Sequence, residues 1–555
     1  MWKRLGALII CSCLIAGCGE ATKKVEFKST VKVVPSSDGG IAELAPATVQ
    51  SKSVVDMKLD EQNLRTFNTE TYDHIVDNKF LAVTEHPLST FSIDVDTASY
   101  SNVRRYLSEG QLPPPGAVRI EEMVNYFTYN YPQPVDGVPF STNVEIADCP
   151  WHSEHRLVRI GLKGREIAAD KRPVSNLVFL LDVSGSMQDA NKLPLLKTAM
   201  KLLVDQLTEN DRVSIVVYAG ASGVALQPTT ADQKQVIANA LEQLQAGGST
   251  NGNEGIELAY LLALEHFVPK GTNRVILCTD GDFNVGITDQ SQLMRVIEEK
   301  ARSGVFLSVL GFGMGNYKDS TLEKLADKGN GNYAYIDTPN EAKKVLVEQM
   351  QGTLITIAKD VKIQIEFNPA HASAYRLIGY ENRLLAKEDF NDDKKDAGEI
   401  GAGHTVTALY EVIPPGKSTS TASVDPLKYQ PKKAPIEVAS TDSGVPQGTK
   451  PEAAHSDELL TLKLRYKQPD GDTSQLIEVP VKDQGRKFTE ASSDFAWAAA
   501  VASFGMLLRD SEYKGNATLP AVLEIAQANK GEDNSGYRAE FIRLVQAALP
   551  LKRLK

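Results

Sequence analysis

Four near-continuous apolar runs constrain this chain more than any other feature: Leu177–Leu181, Val213–Tyr218, Val275–Cys278 and Val305–Leu310. A strand with one face in water alternates apolar and polar residues, whereas a strand covered on both faces does not need to. Between the runs, Leu196, Met200, Leu203 and Leu207 recur at helical spacing, as do Leu293, Val296 and Ile297, and later Ala342, Val345 and Leu346. Buried strands alternating with amphipathic helices predict an α/β, doubly wound, mostly parallel sheet over 173–352. Right-handed crossovers then put helices on both faces.

At 555 residues the chain has material for about three to four domains. Residues 66–172 read as an N-terminal segment with helices near Tyr100–Leu107 and Ile120–Phe127 and a hairpin over 141–163. Residues 353–492 return to β alternation (Val361, Ile363, Ile365; Val406–Val412), broken by a loose loop rich in Pro, Ser, Thr and Lys over 416–456. Residues 493–555 read as helical. Phe495–Leu508 is apolar but too short to cross a bilayer and predicts a buried helix on the preceding β domain.

In an open parallel sheet, ligands bind beyond the carboxyl ends of the strands. The first run ends there in Asp182-Val-Ser184-Gly-Ser186, which offers a carboxylate and two hydroxyls at alternate positions of an extended turn. Gly247-Gly-Ser-Thr250-Asn-Gly and Thr279-Asp280-Gly-Asp282 bring more oxygens to the same edge. Oxygens of this kind suit a hard divalent cation. Together the three stretches resemble the metal-ion-dependent adhesion site of the von Willebrand factor type A domain. The resemblance implies direct ligation of Mg²⁺ (or Mn²⁺ or Ca²⁺) by Ser184, Ser186 and Thr250, with Asp182 and Asp280 acting through water and orienting the hydroxyls. A cation held largely by neutral hydroxyls keeps most of its charge and an open position, which an Asp or Glu carboxylate of a protein partner fills. In some A domains the last helix shifts on ligation; here that helix corresponds to Thr338–Met350.

The N-terminus predicts a compartment. Lys3 and Arg4 precede an apolar stretch, Leu5–Ile15, and Ala16-Gly17-Cys18 follows. This is a secretory signal over 1–17, and Ile15–Cys18 resembles the lipobox of bacterial lipoproteins. The resemblance implies lipidation of Cys18 and a membrane anchor, with 18–65 as a flexible tether. Gly19 in place of Asp points to the outer membrane in a Gram-negative cell envelope. The stretches His86-Pro-Leu-Ser-Thr-Phe-Ser-Ile-Asp-Val-Asp-Thr, Gln111-Leu-Pro-Pro-Pro and Arg119-Ile-Glu-Glu-Met-Val-Asn-Tyr-Phe, with the tail from Ser493, are similar to the flanking parts of bacterial lipoproteins that carry this A domain.

Other chemistries find less support. A net charge of −11 without a basic stripe argues against nucleic acid. Gly247-Gly and Gly311-Phe-Gly-Met-Gly lack the lysine and hydroxyl of a phosphate loop, so no nucleotide is expected. Asp94-Val-Asp96 is similar to the nucleophile motif of haloacid-dehalogenase phosphatases, but Ala98 stands where that family has Thr or Val. Turn and cap chemistry before a helix at Tyr100 accounts for it. Cys149-Pro-Trp-His152-Ser-Glu-His155 has soft-metal ligand types without a fourth ligand. Cys149 and Cys278 are expected to be free thiols. The one near candidate for a general base, Glu254, reads as part of the first turn of the next helix, so the expectation is a non-enzymatic binding protein. An envelope assembly subunit is the alternative, and a metal-dependent hydrolase the more distant one.

Overall fold

The central sheet explains the four apolar runs. In spatial order its strands are Tyr333–Ile336, Phe306–Phe312, Thr272–Thr279, Ser175–Asp182, Arg212–Tyr218 and Ser222–Thr230. Neighbours are parallel except the last pair. Side chains alternate across a strand, so Leu177, Phe179 and Leu181 pack under Leu196, Met200 and Leu203 of the helix Leu193–Gln206. Val178 and Leu180 face the other way, onto Ile256, Ala259, Leu293 and Ile297. Leu207 lies just past the helix end and is still buried.

These coordinates come from a computed structural model, which describes residues 70–417 and 456–553 apart from 136, 250–251, 282–289, 315–316 and 396. The signal segment, Cys18, the tether and most of the loose loop therefore lie outside the described residues. No described helix is long and apolar enough to cross a membrane.

The sequence reading places 66–172 and 353–492 in separate domains, but the structure interleaves them. One antiparallel sheet runs Leu81–Ala82, Ala374–Ile378, Thr405–Ile413, His152–Gly164, Phe140–Cys149. In the other, Thr356–Phe367 pairs with Glu458–Lys467 on one side and with Gly398–Gly401 and Leu88–Ser92 on the other. Ser474–Lys482 closes the edge. Ile160, Leu162, Val406 and Ala408 of the first sheet share a core with Ile363, Ile365, Leu462 and Leu464 of the second. The hairpin over 141–163 has one apolar face to cover, and the strands after the A domain supply the cover.

The C-terminal helix Ser493–Arg509 opens on Ser492, whose hydroxyl accepts from Phe495 N–H at 3.2 Å, and closes on Asp510 at φ 58°. It packs on the β body through Cys149, Leu157 and Leu409. It also packs on the N-terminal helices through Tyr100, Val103, Ile120 and Phe127, a contact the sequence reading does not foresee. The approach to Ile120 is close at Gly505, where a Cβ would lie 2.9 Å from Ile120 Cγ1.

Two expectations are corrected. The first N-terminal helix begins at Ala98, and the Thr97 side chain makes no capping bond. Asp94 does form the expected turn, accepting from Asp96 N–H at 2.9 Å, but Asp96 accepts from Tyr333 N–H at 2.8 Å and so ties this turn to the A domain. The last A-domain helix is not continuous. It consists of Pro339–Lys343, a wider π turn over Lys344–Glu348, and Met350–Leu354.

A buried ion network joins the A domain to the flanking body. Arg119 reaches Glu122 and Asp319, and Arg383 reaches Asp94 at 3.2 Å, Asp96 at 3.5 Å and Glu323 at 3.3 Å, as well as Asp327. Carboxylates outnumber guanidiniums, so some must stay protonated. Burial pushes Glu122 up to about 8 against the pull of Arg119, and Glu323 up to about 7. Nearby, burial also pushes Glu121 to about 8. These groups are ordinarily at 4.5. The folded state then holds protons that the unfolded state has released, and stability falls as pH rises from 4.5 through the folded values. Buried His404, pushed down to about 4, acts in the opposite sense, but only below its ordinary 6.5. Between pH 6.5 and 8 an opposing shift comes from buried Lys344, which burial pushes down to about 8 and which begins to act only at the top of this window, so the three carboxyls dominate. Denaturant unfolding followed by tryptophan fluorescence is expected to show the chain less stable at pH 8 than at 6.5, by on the order of 2 kcal/mol. Equal or greater stability at pH 8 contradicts this.

Candidate metal centre

The register of the central sheet assembles the site. Asp182 is paired with Tyr218 on one neighbour, and Leu181 with Cys278 on the other, so the three strands end level. Asp182 is fully buried and held by three donors: Ser184 N–H at 2.9 Å on Oδ1, and the hydroxyls of Tyr218 at 3.2 Å and Thr279 at 3.1 Å on Oδ2. Burial lifts its carboxyl to about 6, opposed by the bonds from Ser184. The strand cannot continue past this point because the chain turns through a 3-10 turn, Gly185–Gln188. The turn brings Ser184 Oγ and Ser186 Oγ to 3.0 Å from each other, with Ser184 buried and Ser186 exposed.

The glycine loop docks on this turn. Gly247 N–H donates to Val183 C=O at 2.8 Å, and Gly185 N–H to Gly248 C=O at 3.0 Å. Thr250, the expected third hydroxyl, and Asp282 lie outside the described residues, each one position beyond a described neighbour. On the other side, Asp280 is 2% exposed. The chain leaves it through Gly281 at φ +92°, where a Cβ would lie 2.6 Å from Lys318 N, so only glycine fits. Of the five expected ligands, Asp182, Ser184, Ser186 and Asp280 therefore meet at one sheet edge. Hydroxyl and carboxylate oxygens in this arrangement match a hard divalent cation.

One residue of the site is absent from the sequence reading. The Lys192 ammonium donates to Asp280 Oδ2 at 2.9 Å and to the Ser186 carbonyl at 3.0 Å. A lone lysine ahead of an amphipathic helix carries no sequence signal for such a role.

The other candidates resolve differently. Asp94, Glu122 and Glu323 can each offer an oxygen within 4.8 Å of the others, but these oxygens already accept from Arg383, Arg119, Asn382 and Ser99 N–H. Cys149 and Cys278 are buried free thiols. His155 Nδ1 meets Glu411 Oε1 at 2.5 Å while its ring stacks on His152. Among the described residues, these Cys and His side chains form no set of three convergent ligand atoms. Glu254 is exposed in the first turn of the helix Gly252–Glu265.

Comparison with known proteins assigns the domain that carries this sheet edge. The family model described as von Willebrand factor type A domain matches residues 176–369, one described as von Willebrand factor matches 66–159, and one for the C-terminal part of uncharacterized protein YfbK matches 352–551. Uncharacterized protein YfbK of Escherichia coli (strain K12) is 45% identical over 487 residues, spanning 86% of this chain and 81% of that protein. Inter-alpha-trypsin inhibitor heavy chain H3 of Bos taurus is 27% identical over 257 residues, 43% of this chain but only 28% of its own length. Among solved structures, a von Willebrand factor type A protein from Catenulispora acidiphila covers 74% of this chain and 91% of its own, at 16% identity and a TM-score of 0.40. With its type A domain at 176–369 and its YfbK C-terminal region at 352–551, the chain belongs to the family of YfbK, the bacterial proteins that carry a von Willebrand factor type A domain.

Proposed function

We propose that this protein is an envelope lipoprotein, anchored through Cys18, whose A domain binds a divalent cation and uses it to capture a carboxylate of a protein partner. The observation that carries the proposal is the meeting of Asp182, Ser184, Ser186 and Asp280 at the carboxyl edge of the sheet, with the two serine hydroxyls 3.0 Å apart. Ser184, Ser186 and Thr250 would hold Mg²⁺ directly. Asp182 fixes the Ser184 turn through its backbone N–H, and Asp280 faces the site from the neighbouring strand end. The cation, when bound, offers an open coordination position to an incoming Asp or Glu side chain. The exposed Ser186 lies where a partner can approach.

A non-enzymatic role fits the placement of Glu254, which is exposed on a helix turn rather than buried against the serines. It also fits a relative named as an inhibitor heavy chain. The interleaved sheets support an assembly subunit as a second reading, because they give the A domain a rigid platform rather than a flexible stalk. A pull-down from envelope extract separates the two. Capture that is lost in EDTA and restored by excess Mg²⁺ is the expected result, whereas a partner retained equally in EDTA assigns binding to the flanking body.

A further inference from the structure

The site described above already contains a cation of its own. Lys192 is 6% exposed, and its ammonium bridges Asp280 Oδ2 and the Ser186 carbonyl. The residue is locked in place at both ends. Its backbone N–H donates to Asp189 C=O at 3.0 Å, and its own C=O accepts from Leu196 N–H at 2.8 Å in the helix that follows. Its stem runs along Gly313, which has φ +73° and where a Cβ would lie 2.6 Å from Lys192 Cγ. Gly313 is in turn fixed by its carbonyl, which accepts from the Tyr335 hydroxyl at 2.6 Å. The glycine stretch that has no phosphate-loop chemistry thus has a structural use: it leaves a channel for the lysine.

A fixed ammonium beside the carboxylate of a cation site has two consequences. Without metal it supplies a positive charge beside the buried carboxylate pair Asp182 and Asp280 and ties the serine turn to the Asp280 loop. With metal it repels the incoming ion across a short, poorly screened distance. It also offsets one of the two carboxylate charges, so more of the ion's charge remains for an external anion.

We propose that Lys192 is a resident cation of the metal site, which keeps the site assembled when empty, weakens divalent-cation binding and leaves the loaded site net positive towards an anionic partner group. This rests on the metal-binding reading given above. Titration calorimetry with Mg²⁺ on the full chain tests it, comparing wild type with Lys192→Met and Lys192→Gln, two neutral side chains that fit the same channel. Both variants are expected to bind Mg²⁺ at least ten-fold more tightly than wild type, and to melt several degrees lower than wild type without metal but not with it. Equal or weaker Mg²⁺ binding by folded variants, with wild type binding normally, overturns the role of Lys192 and leaves the metal site standing. If neither wild type nor the variants bind Mg²⁺, both the proposal and the metal-binding reading fall. If one variant fails to fold, the other decides.

Discussion

Alanine at Asp182 is expected to weaken Mg²⁺ binding by about 10–100-fold, with far-UV circular dichroism unchanged. Asp182 sets the conformation of the Ser184 turn by accepting its N–H, and it accepts the hydroxyls of Tyr218 and Thr279 from the two flanking strands. Without this carboxylate the serine hydroxyls lose their common orientation and the site loses half its negative charge. Stability changes less. Three donors lose an acceptor, at about 1–3 kcal/mol for each one left buried and unpaired, but the Tyr218 and Thr279 hydroxyls are within hydrogen-bond reach of each other, and a carboxyl that burial had raised to about 6 is also removed. The strand itself is held by Leu177–Leu181, buried on both faces. Calorimetry together with a melting curve separates the two effects. Mg²⁺ affinity within a few-fold of wild type contradicts the assignment.

The largest stability effect is expected far from the metal site, at Arg119. Its guanidinium, donated by the flanking body, is the counter-charge for fully buried Asp319 of the A domain and also bonds buried Glu122. Arg119→Ala leaves Asp319 uncompensated in a low-dielectric interior and removes a donor from Glu122, and a loss of about 3–5 kcal/mol follows. Arg302→Ala is the control: its pair with Glu298 is exposed and screened, and no measurable change is expected. Denaturant unfolding of the three proteins checks both statements. A loss at Arg119 no larger than at Arg302 contradicts the view that this network joins the two bodies.

The sequence makes the central sheet legible because burial on both faces of a strand leaves an apolar run, which is a local signal. The serine turn is legible for a similar reason, since Asp182, Ser184 and Ser186 sit at fixed spacing at a strand end. The shared sandwich is not, because Leu88–Ser92 pairs with Thr356–Phe367 and His152–Gly164 pairs with Thr405–Ile413, and no local pattern encodes which distant strand supplies the partner. The ion network is hidden for a related reason. Arg119, Glu122, Asp319 and Arg383 read singly as ordinary surface charges, and only tertiary packing removes water from all of them together. Lys192 escapes in the same way, since its partner Asp280 arrives from a strand in another part of the chain. Within the wider π turn Lys344–Glu348, the buried Lys344 ammonium lies 3.7 Å from the centre of the Tyr126 ring, a contact with the flanking body that helical spacing alone does not announce.

The most direct test of the metal assignment is anomalous diffraction from crystals grown with Mn²⁺. One strong peak within about 2–2.5 Å of both Ser184 Oγ and Ser186 Oγ is the predicted result. No peak at that sheet edge, or a peak only among Asp94, Glu122 and Glu323, would contradict it.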